Sequence, residues 1–205
     1  MKKLLCMLLV VLTLSFVCAF AETAETTVLP EDMLTESPLD GGLVVDGVFY
    51  QMPFHVSELL ENGWTMECED DDVEAGNVLS MITCYKDNMT MDIRVINEYA
   101  ETKKISECYV CTMQFGPGSF GNSYDTNYDL IDVKFAKNID INTSEADLIA
   151  ILGEPSSVAG GYPVWRGENA KYFNPGHSFS RVADPETGAL RYFNIEYVPA
   201  DFIAE

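Results

Sequence analysis

The chain of 205 residues carries 33 acidic and 12 basic side chains, which gives a formal net charge of −21 at pH 7. Such an acidic surface repels nucleic acid and anionic lipid, so it argues against nucleic-acid binding and favours cationic partners over phosphates; solubility alone also explains this charge. Hydrophobic residues make up 47% of the sequence, enough for a globular protein with a folded core.

The first 21 residues have the pattern of a secretory signal peptide that is removed. Lys2 and Lys3 precede an apolar run over residues 4–17, and alanines stand one and three positions before a cleavage after Ala21. The run of about 14 apolar residues is shorter than the ~20 that a membrane-spanning helix needs, so we expect no transmembrane span in the mature chain. Lipid attachment at Cys18 is the less favoured alternative, because residues 15–17 lack a lipobox's small side chains.

The leader predicts a secreted protein or one of the extracytoplasmic cell envelope. Its removal takes away two lysines and no acid, which moves the formal charge from −21 to −23. Residues 22–40 are rich in threonine, glutamate and proline without apolar periodicity. We therefore expect a flexible linker between the leader and the folded part.

Residues 41–127 are predicted to form a first unit of one short helix and an antiparallel sheet. Val56, Leu59 and Leu60 give a helical apolar stripe that ends at Gly63. The predicted strands are Leu43–Met52, Trp64–Cys68, Val78–Tyr85, Met89–Asn97 and Cys108–Phe115.

Alternation is clearest along the predicted strand at residues 89–97. Its odd-numbered positions up to Val95 are apolar, whereas Thr90, Asp92 and Arg94 share the other face. We expect the apolar face to be buried and the polar face to be wet, as antiparallel sheets permit.

Residues 128–205 are predicted to repeat this plan as a second unit. Ser144 caps a short amphipathic helix, and Gly153 followed by Pro155 ends it. Asp184 to Gly188 is a hairpin turn, because proline presets its first corner and glycine accepts a positive φ. The predicted strands are Tyr128–Ala136, Val164–Trp165, Lys171–Asn174, Phe179–Val182 and Leu190–Val198.

Gly63 and Gly153 each follow a predicted helix that lies between a strand and a multistranded run. This correspondence predicts an internal duplication. The fold class expected from the sequence is therefore α+β, with two tandem units of a short helix plus an antiparallel β-sheet.

The second unit resembles the repeat shared by β-lactamase inhibitor proteins and the SmpA/BamE outer-membrane assembly lipoproteins. The resemblance rests on Ile141 leading into the helix-Gly-x-Pro segment Ser144 to Pro155, several strands and the 184–188 turn. The first unit, through residues 46–50, 59–64 and 105–109, resembles the companion half of secreted proteins from gut Firmicutes. The resemblance implies tandem units that form a protein-binding surface without enzymatic activity.

The sequence predicts no catalytic residue, no metal site and no cofactor. Residues 116–121 match the spacing of a dinucleotide loop, but no helix pattern follows to supply the amides that bind phosphate. His55 and His177 lack paired-ligand spacing, and we expect both in turns. The acidic run over residues 67–74 lacks the order of a calcium loop and suits a solvated hairpin tip.

Cys68, Cys84, Cys108 and Cys111 remain after the leader, an even number that permits two disulfides. Cys68 and Cys84 are equidistant from Gly76, the presumed tip of a hairpin. We predict that these two lie opposite one another on neighbouring strands and are the better candidates for a disulfide.

Aromatic side chains mark the predicted partner-binding surface, because tyrosine and tryptophan combine large contact area with a polar tip. The candidates are Tyr162, Trp165, Tyr172 and Phe173, and the alternative is that about half of them fill the core. The function predicted from these observations is an exported, non-enzymatic module that binds an unknown protein or envelope component. The alternatives are an envelope protein that binds a metal or small ligand and a structural wall-associated protein.

Overall fold

The computed structural model of the protein describes residues 30–68, 72–116, 129–167 and 176–198. These ranges contain fifteen β-strands, two α-helices and four short 3-10 helices. The α-helices are α1 (Val56–Glu61) and α2 (Glu145–Leu152), and the 3-10 helices are Pro30–Met33, Pro38–Asp40, Ile105–Glu107 and Ala136–Asn138. The strands are β1 (Gly42–Val45), β2 (Val48–Gln51), β3 (Phe54–His55), β4 (Thr65–Glu67), β5 (Asp72–Val73), β6 (Val78–Lys86), β7 (Met89–Ile96), β8 (Lys103–Lys104), β9 (Tyr109–Phe115), β10 (Val133–Phe135), β11 (Ile139–Asp140), β12 (Ser157–Ala159), β13 (Tyr162–Arg166), β14 (Gly176–Ala183) and β15 (Leu190–Val198).

Most strands belong to one antiparallel sheet of nine strands. Its order is β12-β13-β14-β15-β9-β7-β6-β4, and β3 pairs with the start of β9. A four-stranded sheet has the order β11-β10-β1-β2, and β5 pairs with β8 as a separate two-stranded ribbon. The described part of the chain is therefore mainly β-sheet.

The predicted α+β class with two tandem helix-plus-sheet units is wrong. Strands from both halves of the sequence share the nine-stranded sheet, in which β9 lies between β7 and β15. All but the first residue of β9 are buried, so this strand needs neighbours on both edges and cover on both faces. The four-stranded sheet likewise pairs β1 with β10, from opposite sides of the predicted boundary at residues 127 and 128.

Local signals were more reliable than the predicted class. Ser144 caps α2, and its hydroxyl accepts a hydrogen bond of 3.2 Å from the Asp147 amide. Gly153 ends the helix at φ +83°. In α1, Val56 and Leu59 are fully buried as predicted, whereas Leu60 is exposed because it lies outside the buried stripe.

The predicted strand Leu43–Met52 is two strands. Asp46 and Gly47 both have positive φ, 49° and 75°, and join β1 to β2 in a tight hairpin. Asp-Gly is among the preferred pairs for such two-residue turns, so the sequence itself contains the signal for this hairpin. The predicted strand Lys171–Asn174 lies outside the described residues.

The core lies against one face of the nine-stranded sheet. A row of opposed apolar residues crosses six strands, and residues of the four-stranded sheet and of both α-helices join the same buried cluster. The Phe135 ring of β10 contacts Phe179 of β14 edge to face, with 5.1 Å between the ring centroids. The opposed row consists of Trp165, Phe179, Ile195, Met113, Ile93 and Ile82.

Candidate functional site: the polar face of the nine-stranded sheet

The face of the nine-stranded sheet that points away from this core is polar. Because opposed residues on neighbouring strands share a face, the strand register defines two adjacent rows on this face, which are polar except for Val164. We call these two rows, together with Thr90, the polar face. The first row is Arg166, Ser178, Glu196, Thr112 and Arg94, and the second is Val164, Ser180, Asn194, Gln114, Asp92 and Thr83.

Hydrogen bonds connect neighbouring strands within the second row. Gln114 Nε2 donates to Asn194 Oδ1 over 3.1 Å, and Thr83 Oγ1 donates to Asp92 Oδ1 over 2.8 Å. Asp92 is only 3% exposed. The expectation of a wet face is therefore wrong for Asp92 and Thr90, which are buried, and right for Arg94, which is exposed.

Two buried polar atoms of this face lack a partner. Within the described part of the chain, Gln114 Oε1 and Thr90 Oγ1 have no hydrogen-bond partner, and their residues are 8% and 9% exposed. A buried polar atom left unpaired costs about 1–3 kcal/mol. The hydrogen-bonding capacity of these two atoms is therefore not used by any described residue of the protein.

Tyrosine side chains lie at one end of the polar face. Burial raises the pKa of Tyr192, the proximity of Tyr162 adds to this rise, and the cations of Arg191 and Arg94 partly offset it. Tyr162 is half-buried on β13, two residues from Val164 and on the same side of the strand. Tyr162 thus lies beside the polar face, and its role in partner binding stays a prediction.

Trp165, another predicted partner-binding residue, does not share a surface with Tyr162. Trp165 is 3% exposed, opposes Phe179 and donates from Nε1 to the Gly153 carbonyl oxygen over 2.9 Å. Trp165 is therefore a core residue, because odd and even positions of β13 point to opposite faces. Its hydrogen bond to Gly153 holds the end of α2. Tyr172 and Phe173 lie outside the described residues.

Long-range pairing produced the residues that the sequence reasoning missed. Gln114 and Asn194 are 80 residues apart in the chain. The polar alternation of β7 was visible in the sequence and was used, but the matching positions of β9 and β15 become significant only once the three strands are known to be neighbours.

Cys111 adjoins the polar face, and Cys108 belongs to the apolar core. Cys111 lies where β7 and β9 change register, and its thiol donates to the Arg94 carbonyl oxygen over 3.5 Å. Burial is the main cause that raises the pKa of Cys111 to about 12 and that of Cys108 to about 11. Both thiols are thus protonated at neutral pH and are poor nucleophiles.

Cys68 and Cys84 do not oppose one another in the strand register. Cys84 faces Met66 across β4 and β6, and Cys68 follows the last residue of β4. The two cysteines do not face one another because the pairing of β4 with β6 is not symmetric about Gly76, as the prediction had assumed. All four of these cysteines lie in the described ranges, and none is in a disulfide there; oxidation of Cys68 and Cys84 in solution stays a prediction.

Thiol labelling checks this arrangement. Under native conditions at pH 7 we expect iodoacetamide to modify the half-buried Cys68 well before Cys84, Cys108 and Cys111, which are buried and become reactive only on unfolding. Peptide mass spectrometry locates the label. Rapid native labelling of Cys111 would contradict the burial described for the polar face.

The remaining sequence candidates have local structural roles. The His55 ring packs on Tyr109 with 4.1 Å between ring centroids, and Nδ1 lies 3.3 Å from the Glu107 carbonyl oxygen. His177 lies within β14 and opposes Tyr197 of β15, so the expectation of a turn is wrong for this residue. Asp72 forms a 2.6 Å ion pair with Lys104, while residues 69–71 of the acidic run lie outside the described ranges.

The described residues contain neither a candidate metal site nor a candidate membrane-spanning helix. Among the described residues no group of three or more His, Cys, Asp or Glu side chains is placed to hold a metal ion. In the same ranges no helix combines the length and the apolarity that crossing a membrane requires. Of the predicted glycine loop only Gly116 is described, and it serves the close approach of β9 to β15.

Comparison of the chain with protein-family models, with curated proteins and with solved structures finds no match. The resemblance to the inhibitor and lipoprotein families therefore stays a prediction from the sequence. The polar face has to be interpreted from its own chemistry.

Proposed function

We propose that the protein is an exported, non-enzymatic binding module that recognises a protein or cell-envelope component through the polar face. The signal-peptide pattern supports export. The acidic charge of −21 argues against a nucleic-acid partner. The polar face supports a binding role because it offers aligned hydrogen-bonding side chains on several adjacent strands.

One observation carries this proposal: the polar face bears the exposed cation of Arg94 and the half-buried side chains of Glu196 and Asn194 on the two strands that flank β9. These charged and amide groups are open to hydrogen bonds from a partner. The non-enzymatic part is supported by the side chains that might act: Asp92 accepts from Thr83, and Cys111 is a protonated thiol.

A groove on the other side of the molecule favours the small-ligand alternative. It lies next to the four-stranded sheet and α2 and has a volume of about 400 Å³, within the size range of small-molecule sites. Lys137 and Asn138 line it, both with left-handed backbone, together with Asp140 and Asp147. Loss of ligand binding on Lys137→Gly, with the polar face intact, would favour this alternative.

Binding to isolated cell envelope tests the main proposal. The double variant Arg94→Ala and Glu196→Ala removes one cation and one anion from the polar face. We expect it to weaken binding about tenfold, the effect of losing about 1.4 kcal/mol, because arginine is enriched among the few interface residues that contribute most to binding. The matched control, Lys134→Ala and Glu31→Ala, removes a 2.7 Å ion pair of opposite charges from the four-stranded sheet side.

The matched pair makes the result interpretable. Both double variants leave the net charge unchanged and remove surface groups, so the control is expected to bind envelope like the wild type. Equal weakening of both would indicate a nonspecific charge effect. Saturable wild-type binding that the Arg94 and Glu196 changes leave intact would place the binding surface elsewhere and refute the proposal.

A further inference from the structure

Three aromatic rings lie together at the start of β9, outside the rows of the polar face. Tyr109 opposes His55 of β3 in the strand register, and their rings pack with 4.1 Å between centroids. Tyr99, between β7 and β8, stacks on Tyr109 at 6.3 Å and is 36% exposed. Exposed tyrosines of this kind are enriched among the residues that contribute most to binding at protein interfaces.

A cation already lies over the outermost of these rings. Lys103 Nζ is 5.1 Å from the centre of the Tyr99 ring, within the distance of a cation–π interaction. The same ammonium group pairs with Glu101 at 2.9 Å and lies 3.8 Å from a Glu107 carboxylate oxygen. We call Tyr99, Glu101 and Glu107 the cation patch. The patch thus binds a positive charge, which in the free protein comes from the chain itself.

We propose that the cation patch binds an arginine side chain from a basic segment of a partner protein, which displaces Lys103. This second contact surface goes beyond the polar face and is argued independently of it. A guanidinium group stacks flat on an aromatic ring and donates two parallel hydrogen bonds to a carboxylate, whereas an ammonium group is a compact point charge. An arginine therefore fits the ring and the carboxylates of the patch better than Lys103 does.

The surroundings of the cation patch complement a basic segment rather than a single small cation. Glu58 of α1 is exposed, and its carboxylate accepts a hydrogen bond of 3.1 Å from the His55 amide. Glu98 is also exposed and lies close enough to Tyr109 to contribute to the rise in its pKa, of which a hydrogen bond with Tyr99 is the main cause. Because these carboxylates come from different elements, a segment with several basic residues contacts more of them than a small amine does.

Displacement of Lys103 costs little. Cation–π contacts and ion pairs of exposed side chains each contribute little to stability. The β5–β8 ribbon has other interactions, because Lys103 pairs with Val73 in the strand register and Lys104 forms a 2.6 Å ion pair with Asp72. The Lys103 ammonium is therefore an internal competitor for the cation patch.

Fluorescence anisotropy with labelled synthetic peptides tests the inference. One peptide alternates arginine with glycine, the other lysine with glycine, and physiological ionic strength limits nonspecific attraction. We expect the arginine peptide to bind the protein saturably and more tightly than the lysine peptide. Tyr99→Leu is expected to weaken arginine-peptide binding about fivefold, the loss of one cation–π contact, whereas Tyr99→Phe keeps the ring and should stay within about twofold of the wild type.

Removal of the internal competitor gives a result that misfolding cannot imitate. Lys103→Gln is expected to strengthen binding of the arginine peptide about threefold, because the incoming guanidinium no longer has to displace an ammonium group. Lys104→Gln is the matched control. It removes the same charge one residue away, from the ion pair with Asp72, and is expected to bind the peptide like the wild type.

The opposite results overturn the inference at identifiable steps. Equal strengthening by Lys103→Gln and Lys104→Gln would reduce the effect to net charge and exclude competition by Lys103. Binding that Tyr99→Leu leaves intact, or equal affinity for the two peptides, would mean that the patch does not bind a stacked guanidinium group. Absence of saturable arginine-peptide binding would refute the inference as a whole, and envelope binding through the polar face would remain a separate result.

Discussion

Replacing Phe135 with alanine is expected to lower the free energy of unfolding by about 3–5 kcal/mol. Phe135 is fully buried on β10, and its ring lies 5.1 Å from that of Phe179 and 6.0 Å from that of Phe193, measured between centroids. Its ring is one of the contacts by which the four-stranded sheet packs on the nine-stranded sheet. Alanine would leave a cavity at the contact between the two sheets.

Equilibrium unfolding in urea, followed by tryptophan fluorescence, measures this loss. Leu130→Ala is the control, because Leu130 is 58% exposed and lies outside the strands, shortly before β10, and its effect should stay within about 0.5 kcal/mol. A loss below about 1 kcal/mol for Phe135→Ala, less than core cavities cost, would mean that the two sheets do not share a core.

Gly116→Ala is expected to destabilise the protein by about 2–5 kcal/mol, from backbone strain and overpacking together. Gly116 has φ +146°, and an added Cβ would lie 2.4 Å from the Arg191 carbonyl oxygen and 2.7 Å from the Tyr192 Cα. Both obstacles are backbone atoms and cannot rotate away. Relief requires β9 and β15 to separate, which also disturbs the pairing of Gln114 with Asn194.

Gly188→Ala is the matched control for this substitution. Gly188 also has positive φ, +71°, but an added Cβ would meet nothing within 4 Å. Its cost is therefore strain alone, about 1–2 kcal/mol. Equal losses in the two variants, measured by urea unfolding, would contradict the close approach of β9 to β15.

Short-range chemistry explains what the sequence predicted correctly. Ser144 and Gly153 mark the ends of α2 because capping and a left-handed stop act within a few residues. The 184–188 turn is of the same kind: the Asp184 carboxylate accepts hydrogen bonds from the amides of Glu186 and Thr187. Such interactions are present in the sequence whatever the rest of the chain does.

Long-range strand pairing explains the features that the sequence did not predict. No residue close to β9 in the sequence indicates that β15, a strand of the other half, pairs with it. This pairing joins the two halves in one sheet. The same pairing creates the polar face, because Gln114 meets Asn194 only through it. The prediction that Trp165 binds a partner failed for a related reason. Its position beside predicted exposed loops suggested a surface residue, but in β13 its side chain lies on the face that packs on the core.

The resemblance to tandem inhibitor-like units implied both a fold and a function. The shared nine-stranded sheet replaces the tandem arrangement. The proposed binding role does not depend on that arrangement, because the polar face includes strands of both halves. Its proposed centre, Gln114 of β9, lies on the strand that joins them.

Nuclear magnetic resonance mapping with envelope fragments solubilised from the isolated envelope tests the polar face most directly. The side-chain amide signals of Gln114 and Asn194 and the guanidinium signal of Arg94 report on the face itself, and backbone amides of β1 and β10 report on the opposite sheet. We predict shifts that saturate at the first three groups, with β1 and β10 unchanged. Saturating shifts confined to β1, β10 or α2 would contradict the account, since the partner would then bind away from the polar face.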